Sequence, residues 1–133
     1  MTAPSRAERG VLDTSVVIAD DVAPLPGVLA ISAVTLAELH FGVLVASTPK
    51  ARAERLRRLT ALERRFDPLP VDEAVAASYG ELAAAAVTAG RKPRRRSMDL
   101  LIAATARVHG ATLYTRNAAD FAGLEGLVTV VSV

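Results

Sequence analysis

The apolar positions of this chain fall in short runs set between longer periodic segments. "GVLD" (10–13) is a brief apolar run ending on an acid and predicts a buried strand, with "TSVVIA" leaving it as a helical turn or two. "DDVAPLPG" holds two prolines, a glycine and two acids, and predicts a loop. "VLAIS" (28–32) predicts a second buried strand, with Ser32 as N-cap of a helix over 33–46. Thr48–Pro49 breaks that helix. A charged helix follows over 50–66, with Leu56, Leu59, Leu62 and Phe66 as its apolar stripe. "DPLPV" predicts an extended segment that ends at Asp72, the N-cap of an Ala-rich helix running to about Ala89, where Gly90 stops it. The basic loop "RKPRRRS" leads to a helix over 98–109 closed by Gly110. A strand "TLYT", a short helix "NAADFAGL" and a final strand "LVTVVSV" complete the chain.

Short strands, apolar on both faces and separated by helices, predict an α/β fold with a mostly parallel sheet between helical layers. In such sheets, sites form beyond the carboxyl ends of the strands, where the strand order reverses. Asp13 stands at such an end. Residues 1–9 are small, polar and charged and predict a loose tail, leaving 10–133 as a single domain.

Composition narrows the chemistry. The chain has 133 residues, 51% hydrophobic and only 4% aromatic, so the core is built from Ala, Val, Leu and Ile. It has no cysteine and only two histidines, His40 and His109, which excludes disulfides, thiolate metal sites and a cysteine nucleophile and disfavours zinc. Any metal would be a hard cation on oxygen ligands. No apolar run approaches the length of a membrane span and the first ten residues lack a signal-peptide core, so a soluble, cytoplasmic protein is expected. The formal charge is only +2, yet Lys50 and Lys92 are the only lysines among 16 basic residues, and arginine is the better fork for phosphate.

Four of the acids stand in apolar surroundings. Asp13 ends the first strand, where it also suits a helix cap. Glu38 lies in "AVTLAELHFGVLVA", a helix apolar nearly all round, and no Lys or Arg occurs between Gly10 and Lys50 to pair with it. A lone ionised carboxylate buried there would cost several kcal/mol, on the order of a strong hydrogen bond or more. Asp99 opens the apolar helix of "SMDLLIAATARVHG", where the helix dipole would also favour it by about 0.3–1 kcal/mol. Asp120, in "TRNAADFAGL", follows Asn117 at a spacing that also fits a capping arrangement.

Taken together, these are carboxylates at strand ends and helix starts in a fold whose strand ends converge. Convergent carboxylates cannot all ionise without a cation. With no Cys and no His cluster that cation is Mg²⁺ or Mn²⁺, and the chemistry it suits is phosphodiester hydrolysis. Thr14, Ser15, Thr115 and Asn117 would then orient the carboxylates and water. The run "RKPRRR" places Arg91, Lys92, Arg94, Arg95 and Arg96 just upstream of Asp99, and Arg116 adjoins the last acid. These are candidate phosphate contacts. No aromatic stacking platform is apparent.

"VLDTSVVIA", "ISAVTLAELHFGV", "MDLLIAATARVHGATLYTRNAADF" and the apolar C-terminal strand, in that order, resemble the PIN-domain ribonucleases, and more narrowly VapC-type toxins. The resemblance spans nearly all of the chain after residue 9. It implies a PIN-like three-layer α/β/α sandwich around a mostly parallel sheet of four to five short strands. It also implies Mg²⁺- or Mn²⁺-dependent endoribonuclease activity on tRNA or rRNA. It carries three metal-binding acids onto Asp13, Glu38 and Asp99. Where many members have Asp, this chain has Asn117, so Asp120 is the charged candidate for the fourth. The implied partners are a cognate VapB-type antitoxin, an RNA substrate and a second copy of the chain, with promoter DNA bound only through the antitoxin. Two other readings compete. One is a catalytically weakened PIN-like binding module, to which Asn117 points. The other is a phosphotransfer domain of the HAD type, which would want Asp where this chain has Ser15.

Overall fold

A computed structural model of the chain describes residues 8–133. The expected tail over 1–9 lies outside the described residues as far as 7, and Arg9 already opens the first strand. Four strands, β1 (Arg9–Leu12), β2 (Val28–Ala30), β3 (Thr112–Thr115) and β4 (Val130–Ser132), form one sheet in the order β2-β1-β3-β4. Every pairing is parallel, with Leu12 opposite Tyr114 and Val11 opposite Leu113. The strand order reverses between β1 and β3, so the crevice expected in an open parallel sheet lies past Leu12 and Thr115.

Side-chain alternation along the strands divides the core in two. Val11 and Leu113 face α4 (Glu73–Thr88) and α5 (Ser97–Val108), joining Val75, Leu82, Leu100 and Ile102. Leu12 and Tyr114 face the other way, toward Val16 of the single-turn helix α1 (Thr14–Val17), Ile31 and the partly buried Leu36 and Phe66. Leu36 belongs to α2 (Ala33–Leu44), and Phe66 caps α3 (Pro49–Arg65). The result is the three-layer α/β/α arrangement expected.

The caps predicted at Ser32 and Asp72 are present: Ser32 Oγ accepts from the Val34 N–H and the Asp72 carboxylate from Val75 N–H. Thr48, expected only to break the preceding helix, also caps α3 by accepting from Ala51 N–H. Several expectations are corrected. The "LVTVVSV" strand contracts to Val130–Ser132, because the chain over 124–128 turns on itself through the Leu127 and Val128 N–H groups to the Leu124 carbonyl. "DPLPV" contributes only a single bridge, Ser32 to Leu69, since Pro68 and Pro70 lack the N–H a strand would donate. "RKPRRR" is not an open loop. Pro93–Arg96 forms a 3-10 turn that runs straight into α5. "NAADFAGL" is a single 3-10 turn, Ala118–Phe121. Helix α2 is not buried on all sides: Phe41, Leu44 and Val45 are exposed, so its apolar residues cover more than the core requires.

Candidate active site

Asp13 follows directly on β1, held by a 2.9 Å bond from its N–H to the Tyr114 carbonyl. It occupies the N-cap position of α1, yet its side chain caps nothing. Its Oδ2 instead accepts from Ser15 Oγ at 2.6 Å and Thr115 Oγ1 at 2.9 Å, and the residue is only 5% exposed. A helix-capping role is therefore excluded: one hydroxyl from α1 and one from the end of β3 orient this buried carboxylate. Ser15 Oγ also lies 3.3 Å from Thr115 Oγ1 and accepts from the Arg116 N–H. The hydroxyls form one small network.

Glu38 stands on α2, half-buried rather than fully buried as expected. Thr14 Oγ1 donates to its Oε1 at 2.8 Å, and Thr14 Oγ1 lies 3.0 Å from the buried Thr35 Oγ1. No ion pair to Glu38 is formed among the described residues; Arg55 donates to the Gly42 carbonyl at 2.7 Å and Arg58 lies 3.9 Å from Asp20. Arg55 and Arg58 of α3 line one cavity of about 350 Å³ with Thr14, Ile18, Leu39 and Glu38. Nothing in the sequence pattern singles out these two arginines, because the α2–α3 packing that places them on the cavity beside Glu38 leaves no local signal.

Asp99, in the first turn of α5, has its carboxyl pushed up to about 6. Burial is the largest cause, followed by the negative charges of Asp13, Asp120 and Glu38, while the Arg96 guanidinium pulls the other way. All four predicted acids thus meet electrostatically at Asp99. Asp120 lies on the Ala118–Phe121 turn, and Arg96 bridges it to Asp99, at 2.9 Å from Asp120 Oδ1 and 3.8 Å from Asp99 Oδ2.

Other candidates have different partners from those expected. Arg116 does not face outward as a free cation: it forks onto Asp21, holding that carboxyl below its ordinary range. Arg91 donates to the Ala119 carbonyl at 3.2 Å, which ties the basic turn to the segment bearing Asp120. Lys92, Arg94 and Arg95 are exposed. Asn117 is exposed as well, and its side chain makes no cap bond. Its backbone N–H donates to Thr115 Oγ1 instead, at 3.0 Å.

The donor set suits a hard dication: every candidate ligand is a carboxylate oxygen, and mutual repulsion raises Asp99. Among the described residues, no three acids or histidines stand close enough together to hold one ion directly. That spacing is compatible with Mg²⁺, which keeps several waters and takes one or two protein carboxylates.

The PIN domain family model matches residues 10–126. Ribonuclease VapC5 of Mycobacterium tuberculosis is 41% identical over 127 residues, covering 91% of both chains. Toxin FitB of Neisseria gonorrhoeae is 36% identical over 97 residues, covering 68% of this chain and 66% of that protein. Among solved structures, the M. tuberculosis toxin–antitoxin system VapBC-5 superposes with a TM-score of 0.81 at 40% identity, covering 95% of this chain and 98% of the other. FitAcB from N. gonorrhoeae superposes with a TM-score of 0.73 at 31% identity, covering 91% and 95%. With the PIN model matched over 10–126 and a VapC ribonuclease 41% identical across nine-tenths of both chains, the chain belongs to the PIN-domain family and, within it, to the VapC type.

Proposed function

We propose that this protein is a toxin of the VapC type: an endoribonuclease that hydrolyses RNA phosphodiester bonds with Mg²⁺ or Mn²⁺. The observation that carries the reading is Asp99. Its carboxyl is raised to about 6 by burial and by three other acids drawn from separate elements. A site that gathers mutually repelling carboxylates favours a bound cation at neutral pH, and Arg96 reaches only two of the four.

Asp13, Glu38, Asp99 and Asp120 are the residues to surround that dication, one or two binding it directly and the others through its waters; when bound it would supply Lewis acidity toward a phosphoryl oxygen. The chain's own contribution is positioning. Ser15 and Thr115 both donate to Oδ2 of Asp13 and so orient the carboxylate. Thr14 does the same for Glu38 through Oε1. Arg55 and Arg58, sharing a cavity with Glu38, supply a cationic wall along which a phosphate backbone can run toward the acids. Lys92, Arg94 and Arg95 are further exposed cations, on the segment that leads into Asp99.

The substrate class is tRNA or rRNA, and the site of action the cytoplasm. The partner is a VapB-type antitoxin, supported by likeness to VapBC-5 and by exposed Phe41, Leu44, Val45 and Leu56 on and beside α2 and α3. FitAB has been solved bound to a DNA fragment, which supports assigning promoter DNA to the toxin–antitoxin complex; a homodimer of this chain is part of the same proposal. The reading as a weakened binding module rests on Asn117, and the exposure of that side chain lends it no support.

The deciding experiment is RNA cleavage by metal-stripped protein with Mg²⁺ or Mn²⁺ restored, run beside Asp13→Ala and Asp99→Ala. Cleavage that needs the metal and fails in both variants supports the proposal. Equal behaviour of wild type and variants defeats it.

A further inference from the structure

The four acids fall into two pairs by what neutralises or orients them. Asp13 and Glu38 take hydroxyls, which orient a carboxylate but leave its charge in place. Asp99 and Asp120 take a guanidinium instead. Arg96 reaches both, at 3.8 and 2.9 Å, from the last position of the Pro93–Arg96 turn. That turn runs directly into α5, so the backbone of Arg96 is three residues from Asp99 and is anchored by the same helix start.

A cation on two acids of the four relieves part of their repulsion in the metal-free protein. A guanidinium is planar and carries one charge, so it cannot occupy the centre of an octahedral oxygen site. It also competes with any dication for the same carboxylate oxygens. The Arg96 side chain is 38% exposed, so it can turn toward solvent without burying its charge. Beside it in the same turn stand the exposed Arg94 and Arg95, within reach of a polyanion.

We infer that Arg96 is a built-in counter-ion, holding Asp99 and Asp120 in the metal-free protein, leaving them when a dication binds, and passing to an RNA phosphate. Arg96 is a positioning residue for the acids and a phosphate ligand for the substrate. The inference rests on the metal-dependent nuclease reading above and adds a cost to metal binding that the chain itself imposes. Metal affinity and RNA affinity are thereby linked: RNA that engages Arg96 frees the acids, so each ligand favours the other.

The test is Mn²⁺ binding to the full-length protein, followed by the signal of free Mn²⁺ in electron paramagnetic resonance, for wild type, Arg96→Gln and Arg96→Lys. Thermal melting of each variant with chelator checks that it folds. Removing one opposing charge beside two ligands predicts Mn²⁺ affinity about tenfold tighter in Arg96→Gln, with Arg96→Lys near wild type. At saturating Mn²⁺, Arg96→Gln should raise KM for RNA several-fold, as expected when one phosphate is no longer neutralised, with little change in kcat. A purely structural arginine would not tighten metal binding when removed. Unchanged or weaker Mn²⁺ binding in folded Arg96→Gln overturns the inference and leaves the nuclease reading intact. No Mn²⁺ binding by wild type overturns both.

Discussion

Asp13 and Thr115 are 102 positions apart in the chain and joined by a buried 2.9 Å hydrogen bond. Asp13 directly follows β1 and Thr115 ends β3, and the pairing of Leu12 with Tyr114 sets them side by side. The parallel register therefore aims a hydroxyl at a carboxylate, and Ser15 adds a second donor to the same oxygen. Replacing Thr115 by Val removes a donor from a buried, charged acceptor. The expected loss is about 1.5–3 kcal/mol of stability and about 10–100-fold in cleavage rate, as for residues that orient metal ligands. Thr115→Ser should recover most of both. Chemical denaturation and cleavage kinetics on the three proteins read the two effects separately.

The Asp99 carboxyl sets a pH dependence. Its pKa is about 6 in the folded chain against 3.8 for the ordinary side chain. Between those values the folded state binds more protons than the unfolded, so stability falls as pH rises through the window and levels off above it. Asp99→Asn removes that dependence. In chelator the variant should be more stable than wild type at neutral pH, with the gap closing toward pH 4. About two pKa units set a ceiling of about 3 kcal/mol, and partial exposure reduces the expected gap to about 1 kcal/mol. Melting curves at several pH values check this. A gap that widens as pH falls would refute it.

Asn117 and Asp120 separate cleanly by their surroundings. Asp120 is partly buried and ion-paired, whereas Asn117 is exposed. Asp120→Asn should lower cleavage by about tenfold or more, through loss of a charged metal ligand or of a group that orients one. Asn117→Asp should change it by no more than about threefold, a surface effect under 1 kcal/mol. Single-turnover rates at saturating Mg²⁺ give the comparison.

Arg55 and Arg58 are assigned to the RNA path by the cavity they share with Glu38. Substituting each by Gln should weaken RNA binding and flatten its salt dependence. For a single strand, the slope of log K against log salt should fall by about 0.7 for each phosphate that is no longer neutralised. Arg116→Gln, whose side chain forks onto Asp21 while Arg58 makes only a long 3.9 Å pair with Asp20, should change the slope less. Binding titrations across salt concentrations distinguish the three.

Local pattern carried much of this protein. The caps at Ser32 and Asp72 were legible because a cap is a bond within three residues. The parallel sheet was legible from short apolar strands alternating with helices. Asp13, Glu38, Asp99 and Asp120 stood out because a carboxylate in apolar company is costly unless something compensates it. The shorter final strand was not legible, because a turn over 124–128 competes for the same apolar residues and wins by local backbone bonds.

The sequence by itself determined the fold class and singled out the four acids, with a hard cation as the expectation that follows from them. Periodicity, capping and the absence of cysteine are properties of neighbouring residues or of totals, and need no folded chain. Only the tertiary structure decided each acid's partner. It set Thr115 on Asp13, Thr14 on Glu38, Arg96 across Asp99 and Asp120, and Arg116 on the exposed Asp21. Most of these pairings join distant segments, and strand register and helix packing, which no local spacing encodes, choose among the hydroxyls and arginines that the chain holds.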